Sequence, residues 1–267
     1  MPDSLKLEPI GHVRTGGQMK FDAPHQPDSE SLDRNRIELL AGQNFELALQ
    51  DLAGFDRIWV VSWFDRNTSW RPRVMPPRGP AKRRGVFATR SPHRPNPIGL
   101  TCVPLHSVSG LVLEVGPLDL VDGTPILDIK PYLTTVDCFP ESSLGWLESV
   151  VAADQLPPPF NIVFSPLATE QLDWLLENWG IDFINRATKI LSRDPSPHRT
   201  RRILMLSENQ FRMSCGAWRI YFTRQETQLE IQKISHAYTP QTLQSPENQT
   251  IPEREAIIAF TEKYLSI

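Results

Sequence analysis

Proline limits what this chain can fold into more than any other residue does. There are 25 prolines in 267 residues, roughly twice the usual share. The ring fixes φ and removes an amide donor, so helix interiors and central strands reject it. A chain punctuated this way should be rich in turns, edge strands and rigid loops. Between the prolines lie short apolar runs. Residues 7–13 suit a short strand, and 58–64 (IWVVSWF) suit a buried one. Residues 86–90, 99–108, 111–115 and 126–133 read as further strands, with Ser109-Gly110 as a hairpin turn. Short strands with frequent turns and few helices predict a barrel or sandwich rather than a βαβ sheet.

The pattern changes at Leu156-Pro157-Pro158-Pro159, a stiff segment suited to a linker. Beyond it, Ser165-Pro166 reads as an N-cap and first helical residue. Leu172, Leu175, Leu176 and Trp179 form an apolar face at helical spacing, and Gly180 supplies the stop. A second helix is expected over 181–191, then a strand pair over 217–223 and 228–234. The expected organisation is a β-barrel domain over 1–155, a small α+β domain over 160–240, and a tail over 241–267 with one short helix.

Several chemistries find no candidate. The sequence has no GxGxxG after a strand, no GxxxxGK[ST], no HExxH and no GxSxG. The histidines show no metal-ligand spacing, so no metal is expected. Cys102, Cys138 and Cys215 are scattered, which suits free thiols in a reducing cytoplasm. The first residues, MPDSLKLEPIG, hold no apolar run, so no signal peptide is expected. No stretch approaches the roughly 20 apolar residues that span a bilayer.

Net charge is −3, yet the charge is uneven. Arg66, Arg71, Arg73, Arg78, Lys82, Arg83, Arg84, Arg90 and Arg94 share a span without Asp or Glu. Such a block fits a polyanionic partner or a solvated basic loop. Within it, the loop Arg90-Ser-Pro-His-Arg-Pro-Asn-Pro97 carries Arg90, His93, Arg94 and Asn96 on a proline-stiffened frame. Stiffening lowers the ordering cost of binding; a purely structural crossover is the competing reading. Further on, Asp122-Gly123-Thr124-Pro125 is a turn with amides open to a ligand. Strand alternation after it puts Asp128, Lys130 and Tyr132 on one face, and Leu127, Ile129 and Leu133 on the other. That polar face either orients a reacting group or simply meets solvent, the commoner outcome for a generic strand.

The blocks GVFATRSPHRPNPIGL and LDLVDGTPILDIKPY together resemble the signature of the TrmO family, also called TsaA-like or YaeB. Weaker resemblance extends to Ile10-Gly11, FDAPHQP at 21–27 and WRPRVMPPR at 70–78. Asp194-Pro195-Ser196-Pro197 resembles the DPRP-type motif of bacterial members, with Ser196 where the family carries Arg. The resemblance implies a small β-barrel, S-adenosylmethionine (SAM) as cofactor, a homodimer, and methylation of the exocyclic nitrogen of threonylcarbamoyl adenosine beside a tRNA anticodon. It implies SAM contacts from Pro24, His25, Gln26, Asp65, Arg66, Arg90, Leu100, Asp122, Gly123 and Thr124. Asp65 stands where the family more often has His.

For the reaction so implied, Asp128 is the expected proton acceptor, with Lys130 or Arg94 offsetting negative charge on the carbamoyl oxygen and Tyr132 stacking on the base. The anticodon stem-loop would meet Arg94 and Asn96, and Arg193, Arg199, Arg201 and Arg202 in the second domain. Two rival expectations stand beside this one. The first is an RNA- or nucleotide-binding module without methyl transfer; the second is a methyltransferase acting on a small metabolite.

Overall fold

Period-two burial organises the first half of the chain. In a computed structural model, which describes residues 5–15, 35–245 and 251–264, the strands begin with β1 (Gly11–Arg14), β2 (Asn35–Leu39) and β3 (Arg57–Trp63). A two-stranded ribbon follows, β4 (Arg73–Val74) and β5 (Arg84–Gly85). Then come β6 (Ile98–Ser109), β7 (Val112–Val115) and β8 (Pro125–Pro131). Strands β1-β2-β7-β6-β3-β8 close into an antiparallel barrel in that order. Closure removes the exposed edges that an open sheet would present. Val13, Ile37, Ile58, Val60, Val103, Leu113, Val115 and Ile126 fill the interior. Short helices α1 (Phe45–Ala48) and α2 (Thr134–Asp137) complete this unit.

The barrel agrees with the expected fold, with one correction in the strand list. Residues 86–90 are not a strand. Val86–Ala88 is a 3-10 turn, because the Thr89 amide and hydroxyl both return to the Val86 carbonyl, at 3.1 and 2.8 Å. That local pairing replaces a ladder.

The second unit begins near residue 144. It contains α3 (Glu148–Gln155), β9 (Asn161–Phe164), α4 (Pro166–Trp179) and α5 (Ile184–Leu191). After them come β10 (Ile203–Met205), β11 (Gln210–Cys215), β12 (Trp218–Gln225), β13 (Gln228–His236), α6 (Pro240–Gln244) and α7 (Arg254–Tyr264). The α4 ends follow the sequence reading. The Ser165 hydroxyl accepts the Ala168 amide at 3.1 Å, and Gly180 takes a left-handed φ of 65°. The strand pair read from sequence is β12 and β13, which lie inside a five-stranded sheet ordered β10-β11-β12-β13-β9. Edge strand β9 runs parallel to β13. Ile257 and Phe260 of α7 are fully buried in the core of this unit.

Candidate active site

The turn after β7 is built on one glycine. Gly123 has φ +76°, a region costly to residues with a Cβ. This lets the Thr124 amide and hydroxyl close on the Val121 carbonyl, at 3.1 and 2.6 Å. The turn is stitched to β1: the Gly123 amide donates to the Val13 carbonyl at 2.9 Å, and the Val13 amide to the Thr124 carbonyl at 3.0 Å. The Asp122 carboxylate accepts the Thr15 amide at 2.9 Å. The Asp122 carbonyl accepts Arg66 Nη2 at 3.0 Å. Arg66 thus meets the consecutive residues Asp122, Gly123 and Thr124, 56 positions further along the chain, at one end of the barrel. Asp65 is adjacent and exposed.

Unpaired polar groups mark the same end. The Thr15 and Ser62 hydroxyls are buried and without a hydrogen-bond partner. Thr15 is tied to the turn through Asp122, and Ser62 pairs with Ile126 just past it. A buried hydroxyl without a partner carries a desolvation cost that a polar ligand can relieve. Gly99 lets β6 pack tightly against Ser62 and Phe64: a Cβ there would run into the Ser62 hydroxyl and come within 2.7 Å of the Phe64 ring. These features fit a ligand as polar as SAM at this rim. Pro24, His25 and Gln26, also expected there, lie outside the described residues.

The proline-rich loop folds onto itself. Arg94 Nη1 donates to the carbonyls of Thr89 and Val86 at 2.9 and 3.3 Å, and its guanidinium sits 5.7 Å from the Phe87 ring centre. Arg94 therefore shapes the loop. Arg90 and Asn96 remain exposed. The Phe64 amide bonds the Pro97 carbonyl at 2.8 Å, which ties the loop to the end of β3.

On the outer barrel wall, Leu100 of β6, Val61 of β3 and Asp128 of β8 are successive cross-strand neighbours. At the usual strand spacing this puts the Leu100 and Asp128 backbones about 10 Å apart. The next row is Cys102, Trp59 and Lys130. Lys130 Nζ lies 2.7 Å from Asp128 Oδ2, and Asp128 Oδ1 accepts the Ile129 amide at 2.9 Å. The Tyr132 ring lies 5.7 Å from Trp59. A hydrogen bond to Cys138 raises the Tyr132 phenol above its ordinary range. Asp128, Lys130 and Tyr132 share a face as the alternation requires. A register shift between Val61 and Ser62 breaks that alternation at Leu127, so that Ile126 is buried and Ile129 packs against the same core.

Sequence reading missed Asp119. Burial raises its carboxyl, while a hydrogen bond from Thr101 and the charge of Arg90 pull the other way. The Thr101 hydroxyl donates to it at 2.8 Å. The available signal was an acid standing between Leu118 and Leu120, both buried.

In the second unit, Arg193 caps α3: its guanidinium donates to the carbonyls of Ala153, Asp154 and Leu156. Arg201 pairs with Asp194 at 2.7 Å and is 8% exposed. Ser196 gives its amide to the Asp194 carboxylate at 3.0 Å. Arg199 is exposed and Arg202 half-buried. Neither Arg193 nor Arg201 presents an unengaged guanidinium. Among the described residues no group of His, Cys, Asp and Glu could hold a metal ion. No helix among them is long and apolar enough to cross a membrane.

Comparison with known proteins matches residues 12–138 to the tRNA-methyltransferase O N-terminal domain. A tRNA (adenine(37)-N6)-methyltransferase of Escherichia coli is 36% identical over 201 residues, covering 73% of this chain and 83% of that protein. The chain belongs to the TrmO family. A probable S-adenosyl-L-methionine-binding protein of Archaeoglobus fulgidus is 39% identical over 144 residues, 54% of this chain and 38% of that one. The crystal structure of TrmO from Pseudomonas aeruginosa superposes with a TM-score of 0.52 at 26% identity, covering 88% of this chain and 98% of that one. In this TrmO-family chain the two signature blocks form the glycine turn and the proline loop at one end of the barrel, and the β8 wall that runs from there toward the other.

Proposed function

We propose that this chain transfers a methyl group from SAM to the exocyclic nitrogen of adenosine 37 in tRNA, in its threonylcarbamoyl form. The observation that carries the reading is the convergence of Arg66, Asp122, Gly123 and Thr124 at the rim, at the start of the strand that carries Asp128. Arg66, Arg90 and Leu100, with the Asp122-Gly123-Thr124 turn beside Arg66, are suited to hold the cofactor, although the Gly123 and Thr124 amides themselves are taken by the Val13 and Val121 carbonyls. SAM supplies an electrophilic methyl on a sulfonium, so the protein mainly aligns the acceptor and manages its proton.

The acceptor nitrogen is conjugated to both purine and carbamoyl groups, so its proton must leave as the new bond forms. Asp128 is the acceptor for that proton, because its carboxylate is half exposed and open to an incoming base. Lys130 holds the carboxylate in place and offsets charge on the carbamoyl oxygen. Tyr132, backed by Trp59, offers a stacking surface. Asp119 is more enclosed, and its charge faces Arg90; it positions that side of the pocket.

The chain acts as a homodimer in this reading. Trp63, Ile98 and Leu100 leave an apolar strip exposed on the wall that carries Asp128, and a second copy is the natural cover for it. The tRNA substrate sets the reaction in the cytoplasm.

The test incubates purified protein with tRNA bearing threonylcarbamoyl adenosine and SAM labelled with deuterium in its methyl group, followed by nucleoside mass spectrometry. A labelled methyl on the modified adenosine is expected. SAM and tRNA binding without a labelled product would leave an RNA-binding module instead.

A further inference from the structure

One face of the five-stranded sheet is core, and the other is cationic. Phe211 and Met213 of β11 and Ile220 and Phe222 of β12 point inward and are buried. Alternation therefore puts Arg212, Arg219 and Tyr221 on the outer face. The register makes them neighbours: Arg212 pairs with Tyr221, Tyr221 with Lys233, and Ser214 with Arg219. Lys233 Nζ sits 5.3 Å from the Tyr221 ring centre. Arg219 Nη1 donates to the Gly216 and Trp218 carbonyls at 2.9 and 2.7 Å, which anchors its guanidinium at the hairpin turn.

Arg202 joins from the loop before β10. Its backbone takes a left-handed φ of 57°, and its carbonyl accepts the Ser214 amide at 3.1 Å. The charges that reach the Cys215 thiol at this end are the guanidiniums of Arg186, Arg219 and Arg202. Burial lowers the Arg219 guanidinium, and Arg212 lowers it further. Burial also lowers Arg202, with Arg186 adding to it. The Arg212 Nε is buried without a hydrogen-bond partner. On β13, Glu230 pairs with Thr223, the second residue along β12 from the Tyr221–Lys233 pair. Partly desolvated like charges side by side raise the free energy of the unbound protein, and a bound polyanion reverses the sign of that term.

We propose that this outer face, with Arg202, Arg212, Arg219 and Lys233 around Tyr221, binds a stretch of the phosphodiester backbone of the tRNA substrate. The inference rests on the tRNA methyltransferase reading above and adds a surface absent from the sequence expectations, which named Arg202 alone of these residues. Guanidinium forks meet phosphate oxygens two at a time, and Tyr221 gives a flat partner for ribose or base.

The test measures tRNA binding by fluorescence anisotropy across a salt series, using the full chain. Arg212→Gln with Arg219→Gln should weaken binding roughly tenfold per arginine. The slope of log affinity against log salt should become shallower by about 1.5–2 for two lost phosphate contacts. SAM affinity by calorimetry and the far-ultraviolet circular dichroism spectrum should not change. Arg212→Lys with Arg219→Lys should keep most of the slope. If the Gln pair binds with wild-type affinity and slope, this surface is not an RNA site, while the proposed function stands. If affinity falls but the slope does not, the arginines are structural and the inference is overturned. If the wild-type protein itself binds no tRNA, the functional reading fails and this inference fails with it.

Discussion

Lys130 and Asp128 form an ion pair on the outer barrel wall, with 2.7 Å between ammonium and carboxylate and both side chains about half exposed or more. A pair so open to water contributes about 0–1 kcal/mol to stability, so removing it should leave the fold nearly intact and expose any effect on the proposed chemistry. Asp128→Asn should lower kcat for methyl transfer by about 10²–10⁴-fold, the range for loss of a proton acceptor. The melting temperature and SAM affinity should stay near wild type. Full kcat in the variant would remove Asp128 from the reaction.

Asp119 predicts a pH effect of opposite character. Its folded carboxyl is raised above the unfolded value by burial. Such a group favours the native state below the unfolded pKa, and that contribution is lost as pH rises through the folded value. Asp119→Asn should therefore flatten this part of the stability profile and be relatively more stable at neutral pH. Urea melts between pH 4 and pH 8 read the effect. The same change removes the negative charge facing Arg90, so SAM affinity should fall.

Gly123 tests the turn. Gly123→Ala must place a Cβ at φ +76°, at a cost of about 1–2 kcal/mol. Thermal melting should show that loss, together with weaker SAM binding by calorimetry, since Arg66 and Thr124 are positioned by the same turn. An unchanged SAM affinity would place the cofactor elsewhere.

In the second unit, the Asp194 carboxyl is held low. Burial alone would raise it; hydrogen bonds from Ser196 and Arg201 outweigh burial and bring it below the usual range. The stability this gives is present above the unfolded pKa of about 4 and is lost as pH falls through the folded value. Arg201→Gln should cost roughly 1–3 kcal/mol at neutral pH, less than a fully buried pair because Asp194 is partly exposed. The acid limb of the stability profile should become shallower. Equal acid sensitivity in variant and wild type would contradict the pairing.

The cysteines should separate by reactivity. Burial pushes the Cys215 thiol up to about 11, whereas Cys138 is exposed. Because thiolate is the reacting form, iodoacetamide at pH 8 should label Cys138 well before Cys215, as read by peptide mass spectrometry.

The sequence by itself determined the local grammar of this protein. Ser165, Pro166 and Gly180 delimit α4 because a cap, a fixed φ and a left-handed stop act within a few residues. Gly123 marks its turn for the same local reason, and the two signature blocks pointed to the family. Tertiary structure alone decided which groups meet. Barrel closure brings Arg66 to the Asp122 carbonyl and the Thr15 amide to the Asp122 carboxylate, although Thr15 follows β1 and Arg66 follows β3. The register shift opposite Leu127 depends on cross-strand pairing, which a period-two pattern along one strand does not record. Arg94 and Arg193 look like free cations in sequence, but they spend their donors on nearby carbonyls. Arg212 and Arg219 become neighbours because hairpin pairing, not sequence spacing, sets which side chains share a face.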